Sequence, residues 1–520
     1  MIPLYSTKQI RDIDEYAIKK VGIPGLVLME NASREIFEKV YERIEHLNSP
    51  KIGFVCSKGN NGGDGFAAAR HFYNAGYDIV IVYLGKEKEM SEDCKFNFST
   101  LKKLSLEDKR ILFKKYVSSS SLNVLKKCDI IIDAMLGSGI QGKLKEPYPT
   151  IINYLNKLKA YKVAVDIPTG LDADRGFADD SFKADLTITL GKLKKGLFFG
   201  DGYIYAGEVE KGSIGIPDSL YDRFTPTEFL VEPEDAYSGL PVKAKNIHKY
   251  SAGKVLTIAG SGSLPGAAVL TSTSALKIGS GASILAFPKS VRELVHKKLG
   301  EVVVNTYEDS GKEFLSEKNL NELKDRIKWA DVVAIGPGLG RNKETQKAVF
   351  TLLKNYKPKK TIIDADAIFA LSNGRYKKLN LRNCVLTPHH AEFSNLIGIS
   401  TPELKKDVLK FGKAFVKKTG AYLVLKGAPT IIFTPSGDSL INTTGNPALA
   451  KFGTGDVLTG FLAGLLSQQN DIEKSMVTGV YLHSLAADLL AAKRTKLDIL
   501  ATDIQNYIPQ TIKFMERSIV

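Results

Sequence analysis

Short, unbroken runs of apolar residues recur along the chain, and most end in a glycine or an acidic residue. In the first half they are "KIGFVC" (51–56), "DIVIVYLG" (78–85), "CDIIIDAMLG" (128–137), "YKVAVDIPTGLD" (161–172) and "ADLTITLG" (184–191). Continuous β-branched runs mark strands buried on both faces, as in parallel sheets. Helical patterns such as "FAAARHFYNAG" follow several of them, so strands alternate with helices and predict a doubly wound α/β domain. Residues 216–246 break the rhythm with four prolines and several acidic residues. The boundary is placed at about 218–226, giving domains 1–220 and 226–520.

The pattern then restarts. "GKVLTIAGSGSLPG" (253–266) reads as a strand and a glycine loop, "AAVLTSTSALKIG" as a helix and "ASILAF" as a strand. "ADVVAIGPGLG" (330–340), "TIIDADAIFAL" (361–371), "CVLTPHHAEF" (384–393) and "AYLVLKGAPTIIF" (421–433) continue it. The fold class is α/β with two doubly wound domains. No internal repeat makes them copies of each other.

Composition narrows the function. The chain has 520 residues, 43% hydrophobic and 25% charged, as globular proteins do. Its formal charge is +15, but the basic residues are spread out and no nucleic-acid reader motif accompanies them. A polyanionic small ligand is the better match, with no nucleic-acid or membrane partner. Cys56, Cys94, Cys128 and Cys384 form no CxxC spacing, which argues against zinc and dithiol chemistry. The start lacks the basic-then-apolar order of a signal peptide, and no apolar run is long enough to span a membrane. A reducing cytoplasm is the expected compartment.

Ligands of doubly wound sheets bind beyond the carboxyl ends of strands, and three loops of the first domain lie there. "GNNGGDG" (59–65) offers glycines and free N–H groups entering a helix, suited to phosphate, or else a capped tight turn. "GSGIQG" (137–142) matches GxGxxG, but Pro147 and Pro149 follow where a dinucleotide fingerprint needs a helix. A hydride-transferring dehydrogenase is therefore disfavoured. In "VDIPTGLDAD" Asp166 ends a strand, where it suits proton transfer or caps the next turn. Asn61, Asp133 and Thr169 offer oxygen donors to a hard cation if their loops converge.

The second domain has "KFGTGDVLTG" (451–460). Asp456 at a helix start is either an N-cap or a base beside a phosphate-binding turn. No Walker A or protein-kinase signature occurs. The glycine turn resembles that of the ribokinase-like small-molecule kinases.

Together, "NNGGDGFAAAR", "DAMLGSGIQG" and "VDIPTGLDAD" resemble the NAD(P)H-hydrate epimerase family over roughly residues 5–215. The resemblance implies a Rossmann-like αβα domain that interconverts the two epimers of hydrated NAD(P)H. It implies hydrate contacts at Asn60, Asn61, Gly62, Gly63 and Asp64 and at Gly137, Ser138, Gly139, Ile140, Gln141, Gly142 and Lys143. Asp166 would be the acid/base residue, also touching the hydrate, and K+ would fall to Asn61, Asp133 and Thr169.

"HKYSAGKVLTIAGSGSLPGAA", "GPGLG", "DADAIFAL", "LTPHHAEF", "LKGAPT" and "NPALAKFGTGDVLTG" come in the order seen in NAD(P)H-hydrate dehydratases, over roughly residues 245–510. That resemblance implies a ribokinase-like αβα domain using ADP or ATP with Mg2+. Asp456 would deprotonate the ring hydroxyl. Gly453 and Gly455 would hold the transferring phosphoryl group, and Lys426, Gly427, Ala428, Pro429, Thr430 and Thr454 would contact the nucleotide. Ala267, Gly338 and His389, with Asp456, would contact the hydrate. Asp364 and Asp366 read as strand-end supporting groups.

Three positions depart from that family: Phe452 replaces a glycine, His390–Ala391 replace Pro-Gly, and "SLPG" lacks an aromatic residue. Epimerase followed by dehydratase predicts a two-activity repair enzyme acting on small molecules, with a homo-oligomer as the expected assembly. The alternatives are a vitamin or sugar kinase, which leaves the first domain unexplained, and a non-catalytic nucleotide-binding protein, which predicts loss of Asp166 or Asp456.

Overall fold

Side chains along the central strands alternate between two cores, which is why their sequences lack a polar face. In the computed structural model, which describes residues 1–139 and 142–519, a short strand at Ile2–Leu4 (β1) precedes seven strands. These are β2 (Ile52–Cys56), β3 (Ile79–Tyr83), β4 (Ile111–Lys115), β5 (Ile130–Ala134), β6 (Tyr161–Val165), β7 (Leu186–Leu190) and β8 (Glu208–Gly212). Phe54, Ile81 and Ile132 join one cluster with Ile36 and Phe66 of the covering helices. Their neighbours Val55, Val80 and Ile131 join another with Leu122 and Ile151. Each fully buried Ile or Val contributes about 2 kcal/mol of transfer free energy.

The seven strands are all parallel, in the order β4-β3-β2-β5-β6-β7-β8. The strand order reverses at β2 and β5, so a crevice opens beyond their carboxyl ends. The expected helix after the "GNNGGDG" loop starts earlier, at Asn60, and absorbs most of the motif into Asn60–Asn74. Its glycines serve close packing rather than positive φ. A Cβ on Gly62 would lie 1.9 Å from the Ser57 carbonyl oxygen, and one on Gly63 would lie 2.6 Å from the Met29 methyl.

The second half holds β9 (Glu228–Leu230), β10 (Lys254–Ile258), β11 (Ala282–Pro288), β12 (Val303–Tyr307), β13 (Val332–Ile335), β14 (Thr361–Ile363), β15 (Cys384–Leu386), β16 (Tyr422–Leu425), β17 (Thr430–Phe433) and β18 (Ser439–Asn442). They run β9-β18-β17-β16-β15-β14-β13-β10-β11-β12. All neighbours are parallel except the β16-β17-β18 meander. Here the order reverses at β10 and β13. Helices Thr454–Gln468 and Ile472–Ala491 pack their apolar sides on this sheet through Phe461, Leu465 and Val480.

The chain divides into two compact units, Pro3–Pro226 and Thr227–Val520, the second also taking in Met1 and Ile2. Among the described residues no helix is long and apolar enough to cross a membrane.

Candidate active sites

In the first unit, the loops after β2, β5 and β6 enclose a cavity of about 590 Å3. Asn60, Asn61, Asp64, Gly137, Ser138, Gly139 and Asp166 line it. Gly62, Gly63, Gly142 and Lys143 are not among the lining residues; the first two are packed against protein, and the last two are exposed. Ile140 and Gln141 lie outside the described residues. Among the described residues after Gly139 the next helix begins at Tyr148, not directly after Gly142 as a dinucleotide fingerprint would have it.

Asp166 follows β6 with φ 66°, a left-handed conformation that is strained for a non-glycine residue and clusters at functional sites. Its Oδ1 accepts the Leu190 N–H at 3.1 Å and the Lys194 Nζ at 2.5 Å. Lys194 is 1% exposed and also donates to the Leu190 carbonyl. Its ammonium pairs with Asp166, which is largely buried at the cavity wall, where an unpaired carboxylate would be costly. Sequence reasoning missed Lys194, because nothing within "KLKK" distinguishes one lysine from the next. Its position just past the end of β7 was the available signal.

Three further carboxyls, those of Asp14, Asp64 and Asp93, line the cavity. Asp64 is buried, and burial, with Asp166 nearby, raises its pKa well above the ordinary value. Asp14, on helix Thr7–Tyr16, was also missed; burial pushes it up to about 6, with Lys194 opposing. Asp133 lies on β5 and is fully buried, pushed up to about 6 by burial against the bonds it accepts. It accepts from the Thr169 N–H and hydroxyl, both at 2.8 Å, and from the Met135 N–H at 3.1 Å. Asn61 has both side-chain polar atoms buried without a partner, and it lies beside Gly137 and Asp166.

In the second unit, helix Thr454–Gln468 starts from Gly453, whose φ is 91°. The left-handed backbone therefore falls on Gly453 and not on Phe452, which is fully exposed. Asp456 sits in the first turn, no side chain caps this helix, and the N-cap reading is therefore corrected. Burial, with Asp364 beside it and Lys426 opposing, pushes Asp456 up to about 7. The Thr454 hydroxyl is turned away into the preceding loop, donating to the Leu449 and Lys451 carbonyls.

Lys426 follows β16 next to this turn. Its Nζ donates to Asp364 at 2.8 Å and lies 3.3 Å from where a Gly455 Cβ would stand. Burial pulls its pKa down, but Asp364, Glu392 and Asp456 outweigh that and raise it. Asp364 is 1% exposed and takes the Thr459 hydroxyl on its other oxygen at 2.7 Å. Asp366 is engaged separately, by the Gly340 N–H and Arg341. Ala267 and Gly338 meet where the order reverses: a Cβ on Gly338, φ 64°, would lie 3.0 Å from the Ala267 methyl. His389 caps helix His390–Ile397, with Glu392 closing the capping box. Gly427 packs beside His390, and the Thr430 hydroxyl donates to the Gly427 carbonyl. Ala428–Pro429 is a cis peptide in the same turn.

Sequence reasoning also missed His483, on helix Ile472–Ala491. Its Nε2 lies 2.9 Å from the Thr454 carbonyl, which fixes the proton on Nε2 because a carbonyl only accepts. Burial lowers its pKa to about 4. Protonation is therefore easier in the unfolded chain, and the second unit loses stability as pH falls from 6.5 towards 4. The contribution is about 3 kcal/mol. Urea unfolding at pH 7 and pH 4.5 is expected to show this dependence, with a shallower slope for His483→Gln.

The profile described as NAD(P)H-hydrate dehydratase matches residues 255–510, and that of the YjeF-related protein N-terminus matches residues 25–196. The bifunctional NAD(P)H-hydrate repair enzyme of Moorella thermoacetica is 32% identical over 519 residues, 99% of this chain and 98% of its own. That of Archaeoglobus fulgidus is 35% identical over 491 residues, 94% and 95% respectively. A ribokinase-like superfamily protein from Enterococcus faecalis matches the fold with TM-score 0.50 and 27% identity, over 56% of this chain and 98% of its own.

Proposed function

Because the chain belongs to the family of bifunctional NAD(P)H-hydrate repair enzymes, we propose that residues 1–220 epimerise hydrated NAD(P)H and residues 226–520 dehydrate its S epimer. Hydration places a hydroxyl on the carbon beside the ring nitrogen, where either configuration forms. Epimerisation feeds the R form to the S-specific step, so both are rescued.

The observation that carries the reading is Asp456: a carboxyl with its pKa pushed up to about 7, one residue past Gly455 and beside Lys426. A group poised near neutrality is what a general base needs. Asp456 takes the hydroxyl proton as the phosphoryl group of ADP or ATP moves to that oxygen. The uncapped first N–H groups of helix Thr454–Gln468 face the developing charge, aided by the helix dipole. Phosphate then leaves with its bonding electrons, and loss of a proton from the adjacent carbon restores the double bond. Lys426, anchored on Asp364, holds positive charge beside the turn. Ala267 and Gly338 border the hydrate, and the Lys426–Thr430 turn borders the nucleotide.

The nucleotide phosphates themselves would carry the Mg2+, whose charge would offset theirs. Among the described residues no three His, Cys, Asp or Glu side chains form a metal cage. Of the three K+ donors only Asn61 lines the first cavity, while Asp133 and Thr169 are buried behind it and bonded to each other. Asn61 Oδ1 is buried and unpartnered, and Asp133 accepts three hydrogen bonds with about four acceptor sites. An oxygen-ligated monovalent cation held by Asn61, Asp133 and Thr169 would supply positive charge beside the Gly137–Gly139 loop.

The test supplies purified S hydrate with ADP, then ATP, and follows the returning near-ultraviolet absorbance of NADH. Recovery is expected with at least one nucleotide and none without. No recovery with either would contradict the dehydratase assignment.

A further inference from the structure

The first cavity holds more carboxyls than its one buried ion pair can neutralise. Lys194 is committed to Asp166 at 2.5 Å. Asp14 lines the same cavity, and its Oδ1 is buried with no hydrogen-bond partner. A carboxylate oxygen left this way is disfavoured against the neutral acid. The groups facing Asp14 are Lys194 and Asp166, with Asp64 and Tyr221 close enough to interact; Arg11, Lys58 and Asp93 line the wider cavity. One carboxyl paired with a buried ammonium and a second left unpartnered in the same cavity are an arrangement that acid–base catalysis can use.

We propose that Asp14 is the general acid of epimerisation, working opposite Asp166 as general base. The inference rests on the epimerase reading of the first unit. The carbon being inverted carries both the ring nitrogen and the hydroxyl. Asp166 takes the hydroxyl proton as that oxygen forms a carbonyl and the carbon–nitrogen bond breaks. The nitrogen keeps the electron pair and receives the Asp14 proton. Rotation of the open aldehyde and reclosure on its other face return both protons, so the substrate is isomerised with no redox change and no external reactant. Lys194 is paired with Asp166 at the first transfer, and burial raises Asp14 towards the protonated form that the second transfer needs.

The experiment uses the full chain with R-enriched NADH hydrate, follows R-to-S conversion chromatographically across pH, and subtracts the uncatalysed rate. Asp14→Asn is expected to lower kcat by about 100-fold or more, the usual worth of a positioned acid, with KM changed less than threefold. Its pH profile loses the alkaline descending limb, because that limb reports deprotonation of Asp14, and keeps the acidic limb. Asp14→Glu is expected to restore part of kcat and the alkaline limb. Hydrate binding, followed by calorimetry, confirms that each variant is folded. Wild-type activity with Asp14→Asn retaining kcat within threefold overturns the proposal. So does loss of activity in both variants, or an Asp14→Asn profile of unchanged shape. Absence of epimerisation in the wild type would instead overturn the reading of the first unit.

Discussion

Replacing Asp456 by Ala is expected to stop nucleotide-dependent recovery of NADH while leaving R-to-S conversion intact. A general base accounts for about 10²–10⁴ in rate, or about 3–5 kcal/mol of barrier. A helix cap would be worth about 1 kcal/mol of stability and nothing directly in rate. The structure separates the two roles, since Asp456 lies in the first turn of a helix that no side chain caps. The base must be ionised, so wild-type dehydration is expected to rise with pH through about 7 and then level off. Single-turnover rates on S hydrate with saturating nucleotide check both points. Retained turnover in Asp456→Ala would mean that another group takes the hydroxyl proton.

The second large effect falls on Asp364. Its two oxygens hold Lys426 and Thr459, and it is almost wholly buried. Asp364→Ala leaves the Lys426 ammonium, 22% exposed, without its carboxylate partner. Breaking such a pair from one side is expected to cost about 3 kcal/mol in stability of the second unit. Removing both charges, as Asp364→Leu with Lys426→Met, is expected to recover much of that loss, because neither charge is then stranded. Dehydration stays low in both, since the positive charge beside Gly455 is misplaced or gone. Urea unfolding of the single and double variants measures the coupling; equal destabilisation in both would show that the pair does not act as a unit.

The buried strands were legible in the sequence because a strand covered on both faces leaves an unbroken apolar run. β2, β3, β5, β6 and β7 follow from that signal alone. The edge strands β4, β8 and β12 did not. Each shows one face or one end to solvent, so "ILFKK", "EVEKG" and "VVNTY" are too polar or too mixed to stand out. The same physics limits what could be read of the sites. Asp166 follows a strand beside a glycine-marked loop and Asp456 opens a helix from a glycine turn, and both backbone demands are local. Lys194, Asp14 and His483 reach their sites from other elements, and the contacts that matter exist only once the sheet is assembled. The role of Asp364 was legible only in outline: as a strand-end supporting group, without the lysine and threonine it binds.

Phe452 also reads differently in three dimensions. Although it stands where the resembled family has glycine, it needs no left-handed backbone, since that residue is Gly453, and its ring projects from the turn into solvent.

The most direct test of the two-step account supplies an equal mixture of R and S NADH hydrates, nucleotide and Mg2+ to the full chain and follows NADH absorbance to its end point. Complete recovery is the predicted result, and Asp166→Asn should stop near the S fraction, apart from slow uncatalysed epimerisation. A wild-type reaction that halts at the S fraction would contradict the account.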